Sequence, residues 1–434
     1  MSLTEKKEWI KDSFQLFEKG LNGEAGSEFH QLRRDAMDRF SSVHFPGTRN
    51  EEWRYTSLPN LIDRPYVLPA TDVTEDFSSH PLLELFPHRL VFIDGFFNEK
   101  LSTVSSMAKN INVQSADNRP DLVRQHMILH DSKDEHVFVF MNHAFLRKGI
   151  VLSIPANVEV KEPVHLIHIH SSSKSALSQP FVAVEVGESS KVTFFESSIN
   201  TVDQDTLSNS VAYFHLNRRA VVHYTKVQND GPSNHRIDTT TVEQDAESRW
   251  TSTVLSLGSS MTRNLITLHL NGERIESTIN GLYMMNGSQH VDNRTVIHHA
   301  KPHCASHELY KGILDGQSTG VFNGKIMVHP DAQKTDAKQS NKNLLLSANA
   351  TMNTKPQLEI FADDVKCTHG ATIGRLDEAS MFYLRSRGIP VREAKSLLTH
   401  AFAHDVIARI DHDVIRQTLD EILLKKLSQL KDSK

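Results

Sequence analysis

The chain has 434 residues, 48 Lys+Arg against 53 Asp+Glu, and a formal net charge of −5. That length allows two or three domains with sizeable cores, and the lack of a basic excess argues against nucleic-acid binding. Only two cysteines occur, Cys304 and Cys367, which excludes a disulfide framework and points to a reducing cytoplasm. The opening MSLTEKKEWIKDSF is charged and lacks the apolar stretch of a secretory signal. No apolar run is long enough to cross a bilayer.

In chain order, Lys6 to Lys19 carries Trp9, Ile10, Phe14 and Phe17 at helical spacing, and Gly20 can end that helix. Ser27 to Phe40 predicts a second helix with Phe29, Leu32, Ala36, Met37 and Phe40 as its stripe. The loop His44 to Thr56 holds Trp53, most simply a packed aromatic. Arg89 to Glu99 reads as strand, Asp94-Gly95 turn, strand. From about Val151 short β-like runs follow one another for more than two hundred residues, among them VHLIHIH, KVTFFES, AVVHYTKV and VFNGKIMV. Such a series fits a sandwich, a barrel or a β-helix. No strict repeat chooses among them, although so many strands would strain a single sandwich. Helix returns at Leu376 to Arg387, in an apolar stripe from Ala394 to Ile410, and in Val414 to Leu430. The plain reading of these last stripes is burial against their own domain.

Phosphate loops, dinucleotide fingerprints and nucleophile elbows are missing, so ATP hydrolysis by this chain is not expected. The histidine-rich VIHHAKPHCASHELY could ligate a metal through His303, Cys304 and His307. A loop broken by Pro302 is the simpler reading, because no regular element gathers these side chains. The run Ala332 to Ser347 could bind an anion but reads more simply as an exposed polar strand face. Lys355 to Gly370 puts Cys367 two residues before His369. In an extended strand the two would share a face, with Asp363 further back on it. Cys, His and carboxylate are zinc and iron ligands, whereas the plain alternative is a buried thiol beside a hydrogen-bonded imidazole. A four-ligand iron–sulfur cluster could not be supplied by two distant cysteines. Any such cluster would have to be shared with another subunit.

The segments FPGTRNEEWRYT, VFNGKIMVHPDAQKTDAKQSNKNLLLS, KPQLEIFADDVKCTHGATIGRLDE and FYLRSRGI together resemble the SufB/SufD family, and DDVKCTHGAT with NEEWRYT resembles its SufD branch. The resemblance runs from about Phe45 to Ile407. It implies a mainly β fold, a right-handed parallel β-helix core flanked by an N-terminal helical and mixed region and a C-terminal helical region. The expected boundaries are 1–60 helical, 61–155 mixed, 156–372 β-helix and 373–434 helical. It also implies a non-enzymatic scaffold subunit of a cytoplasmic iron–sulfur cluster assembly complex, paired with a SufB-like paralogue and bound to a SufC-like ABC ATPase.

By motif position His369, with Cys367 beside it, would contribute to a transient iron–sulfur cluster shared at the subunit interface. Leu397, Leu398, Phe402 and Val406 would face the ATPase. Reduced flavin would belong to the assembled complex only, and the isolated chain could pair with itself. Neither nucleic acid nor membrane is expected as a partner. The competing class is a stand-alone β-helix enzyme acting on polysaccharide, for which no acidic pair stands out.

Overall fold

Two helices open the chain, α1 (Leu3–Lys19) and α2 (Glu28–Ser42). Ser27 caps the second, its hydroxyl accepting from the His30 amide at 3.1 Å, as a serine before an apolar stripe should. The computed structural model describes residues 3–21, 26–58, 66–69, 77, 80–107, 109–130, 133–201 and 204–428. Stretches 61–65 and 70–76 of the expected mixed segment lie outside them, as do 59–60 of the expected helical region and Leu430 of the expected last helix.

A hairpin follows, β1 (His88–Ile93) and β2 (Phe96–Asn98), turning at Asp94-Gly95 as expected. Next come α3 (Val104–Met107), β3 (Asn112–Ser115), α4 (Pro120–Ile128) and α5 (Val137–Ala144). The solenoid proper starts with β4 (Ile150–Ile154), β5 (Val164–His170), β6 (Ala176–Ser178) and β7 (Phe181–Val186). It continues through β8 (Lys191–Asn200), β9 (Thr206–Leu216), β10 (Val221–Gln228), β11 (His235–Gln244) and β12 (Arg249–Ser256). Then come β13 (Met261–Leu270), β14 (Glu276–Met285), β15 (His290–His299) and β16 (Ala305–Leu314). It closes with β17 (Thr319–Val328), β18 (Asp336–Leu345), β19 (Thr351–Ile360) and β20 (Lys366–Gly374).

From β7 onward, consecutive strands go alternately to two ten-stranded sheets, and every pairing that these strands make is parallel. The expected parallel β-helix is therefore the observed architecture, with about 8 turns. One turn takes roughly 30 residues, inside the range of stacked repeats, each of which buries its apolar face only against its neighbours. The interior between the sheets holds Phe194, Phe214, Trp250, Tyr283 and Phe322, all essentially inaccessible. Each such side chain contributes about 1.5–3 kcal/mol by leaving water.

One corner of the solenoid is built the same way in successive turns. Asn157, Ser189, Arg219, Glu247, Arg274, His303 and Lys334 all hold φ between 56° and 63°. A left-handed backbone costs an L-residue about 1–2 kcal/mol. The offset is visible: each of these amides donates to a carbonyl of the following turn, ending with Lys334 N to Asp364 O at 2.6 Å. No sequence repeat was needed, because the corner asks for a conformation and a backbone bond rather than a residue type. His303 is thus an exposed corner residue, Cys304 points into the core, and His307 is exposed on β16. The histidine-rich run does not converge, in agreement with its simpler reading.

Three helices finish the fold: α6 (Glu378–Ser386), α7 (Val391–Ile407) and α8 (Asp413–Ser428). Ala403, Val406, Ile407, Ile415, Leu419 and Leu423 lie against Leu255, Leu282, Met284 and Ile313 on the outer face of one sheet. The N-terminal helices cover the outer face of the other sheet through Phe40, Trp53, Phe138, Phe181 and Tyr213. Arg263 on β13 stacks over the Trp53 ring at 3.6 Å, and Thr56 donates to Asp292 Oδ2 at 2.6 Å, so the NEEWRYT loop is pinned to the solenoid. Among the described residues no helix is long and apolar enough to cross a membrane.

Candidate functional site

Lys355 to Gly370 is not the single strand that its reading from sequence assumed. β19 ends at Ile360, residues 361–365 form the corner, and β20 begins at Lys366. The Lys334–Asp364 backbone bond holds that corner in place. Asp363 therefore sits in the corner, off the strand that carries Cys367 and His369, and is not a third ligand beside them.

β19 and β20 are the terminal strands of their sheets. Register places Cys367 over Ala337 and Ser306, and His369 over Gln339 and Glu308. Cys367 is half-buried, packed against the end of the interior cluster, while His369 is exposed at the last turn. Burial and the nearby Asp336 charge raise the Cys367 thiol above its ordinary value, so at neutral pH it carries its proton. The pair offers one sulfur and one nitrogen donor.

Below His369 the interior row turns polar. Gln339 is buried and donates to Glu308 Oε2 at 2.6 Å. Gly324 makes room for it: a Cβ there would lie 2.2 Å from Gln339 Nε2. Burial pushes the Glu308 carboxyl up to about 7, against the pull of the Gln339 hydrogen bond. Asn341 and Asn343 extend the polar interior, Asn343 donating to Asn341 Oδ1 at 2.6 Å. The run Ala332 to Ser347, expected as an exposed polar face, in fact sends Gln339, Asn341 and Asn343 inward. Strand alternation alone could not say which of its two polar faces was the inner one.

Natural solenoids close with a polar capping repeat. Here the last turn instead exposes Ile360, Phe361 (61% accessible) and Ile373 beside two free strand edges. Such an edge is a template for pairing with another chain. A second apolar group lies on the helical layer, where Phe382 (74%) and Tyr383 of α6 and Val391 and Leu397 of α7 are exposed. Of the four expected partner-facing residues, Leu397 is exposed and Leu398 and Phe402 are half-buried. Phe402 is held by Lys311, whose Nζ sits 4.5 Å from its ring centroid and donates to its carbonyl at 3.0 Å. Val406 has no accessible surface and belongs to the intrachain core. One side of α7 must cover the sheet, and Val406 falls on that side. Phe382 and Tyr383 both stand in the FYLRSRGI motif, whose spacing gives no sign that they are exposed.

Comparison with known proteins matches residues 168–402 to the SUF system FeS cluster assembly SufBD core domain and residues 4–166 to the SufBD protein N-terminal region. An iron-sulfur cluster assembly SufBD family protein of Synechocystis is 34% identical over 405 residues, covering 90% of this chain and 89% of that protein. The iron-sulfur cluster assembly protein SufD of Escherichia coli is 30% identical over 378 residues, 86% of this chain and 87% of its own. The SufD of Bacillus subtilis is 28% identical over 428 residues, 92% and 96% respectively. With both regions matched in order along the chain, it belongs to the SufBD family of iron–sulfur cluster assembly proteins, with relatives on its SufD branch.

Proposed function

We propose that this chain is a non-enzymatic scaffold subunit of a cytoplasmic SUF complex. It pairs edge to edge with a SufB-like paralogue through β19 and β20 and carries a SufC-like ATPase on α6 and α7. The observation that carries the reading is the uncapped last turn, where free strand edges, exposed Ile360, Phe361 and Ile373, and the Cys367–His369 pair coincide. Two donors are too few for a cluster that takes four, so the nascent cluster is cargo shared with the partner. An imidazole ligand in place of thiolate suits hand-over better than storage. ATP-driven approach of two ATPase subunits, acting through the C-terminal helices, would open the paired edges to iron and sulfide.

The test is His369→Ala in a complex with SufB-like and SufC-like subunits. His369 is exposed on β20, the terminal strand of its sheet, so folding and assembly should survive while most of the cluster is lost. Full cluster yield from that variant would overturn the ligand role. Separately, Ile373→Lys should abolish pairing with the paralogue while leaving the isolated chain folded.

A further inference from the structure

α7 carries two histidines four residues apart, His400 and His404, which places both on one helical face. Opposite them on α8 stands Asp420. His400 Nε2 lies 3.0 Å and His404 Nδ1 3.1 Å from the same oxygen, Asp420 Oδ1, and the two rings stack with centroids 5.5 Å apart. Among the described residues this is the only group of three histidine, cysteine or carboxylate side chains whose ligand atoms lie within 4.8 Å of one another. A buried histidine chain under the N-terminal helices does not converge. His143, His126, His130 and His136 are strung end to end through opposite ring nitrogens, leaving no common point for an ion.

We propose that His400, His404 and Asp420 bind one divalent first-row transition-metal ion that bridges α7 and α8. Two imidazole nitrogens and a carboxylate oxygen are a donor set for zinc or ferrous iron. With metal–ligand bonds of about 2.0 Å a tetrahedral site has ligand–ligand edges of about 3.3 Å. The two nitrogen–oxygen separations are already within a few tenths of an ångström of that length. The side chains are 24%, 43% and 28% accessible, so the outward position is left to water or to a partner's donor. On the inner side α7 and α8 are held by Ala403, Val406, Leu419 and Leu423, which fixes the spacing of the ligands without the ion. Occupancy would tie together the two helices of the layer that also exposes Leu397. This site is separate from Cys367 and His369 and does not depend on their role.

The experiment uses the full-length chain, stripped with chelator and titrated with Co²⁺ as a spectroscopic probe, then with Zn²⁺ in competition and with Fe²⁺ under anaerobic conditions. Expected is one equivalent giving visible d–d bands, displaced by Zn²⁺. His404→Ala and Asp420→Asn should each weaken that equivalent by at least about tenfold, since even loss of an outer partner of a metal ligand typically costs 10–100-fold. Both side chains are partly exposed, so melting of the metal-free variants should match the parent, and His400→Ala gives a third, independent check. His307→Ala, and the pair Cys367→Ser with His369→Ala, should leave the equivalent intact. The site is overturned if His404→Ala and Asp420→Asn bind as the parent does, or if the parent binds no Co²⁺ or Zn²⁺ at millimolar concentration. Either result would leave the trio a hydrogen-bonded cluster.

Discussion

Replacing Glu308 by Gln tests the polar interior beneath His369. In the fold this carboxyl titrates at about 7 against 4.5 for an exposed glutamate, because burial disfavours its charge. Between those pH values the folded chain keeps a proton that the unfolded chain has released. Stability therefore falls as pH rises from 4.5 to 7, at 1.36 kcal/mol per pH unit. Over the full interval this amounts to about 3 kcal/mol. A glutamine carries no charge to bury, and its carbonyl can still accept from Gln339. Glu308→Gln should thus match the parent near pH 4.5 and exceed its stability by about 3 kcal/mol at pH 8. Urea unfolding of both proteins at half-unit pH steps measures the difference, and other titrating groups cancel in the subtraction. A stability difference that does not change between pH 4.5 and 8 would refute a protonated buried carboxyl.

The two sides of α7 should separate cleanly. Val406→Ala removes two buried methyl groups and should cost about 2 kcal/mol of stability by urea denaturation. Leu397→Asp should change stability by less than about 0.5 kcal/mol but abolish co-purification of the SufC-like ATPase; retained capture would move that interface elsewhere. Burial lowers the imidazoles of His143 and His299 to about 4 and His165 to about 3, so they are neutral in the fold. With folded values below the ordinary 6.5, the unfolded chain takes the proton first. Their contribution is complete above pH 6.5 and is lost as pH falls toward 4. His143→Gln should flatten the pH dependence of stability between 6.5 and 4.5 by about 1.4 kcal/mol per pH unit; an unchanged slope would mean that His143 stays protonated in the fold.

The helical ends of the chain were legible because their apolar spacing is local. Phe29, Leu32, Ala36 and Phe40 are all buried as their stripe predicts, and Ile415, Leu419 and Leu423 likewise. Strand runs such as VHLIHIH and KVTFFES were legible for the same reason. Their arrangement was not, because a solenoid whose corners are set by left-handed φ and backbone bonds needs no recurring residue. That arrangement came from a long ordered resemblance, not from periodicity.

Cys367 and His369 could be named from their motif, and strand alternation put them on one face. It could not place the corner that removes Asp363 from that face, since the corner depends on Lys334 in the preceding turn. Glu308 gave no signal at all. A charged residue in SHELY looks like surface until register stacks it between Ile279 and Gln339. His400 and His404 show their helical spacing in the chain, but Asp420 joins them only when α8 folds back on α7. Residue type and local period are properties of neighbours in the chain. Which side of a strand or helix is inside, and which distant donor completes a site, depends on contacts between segments far apart in it.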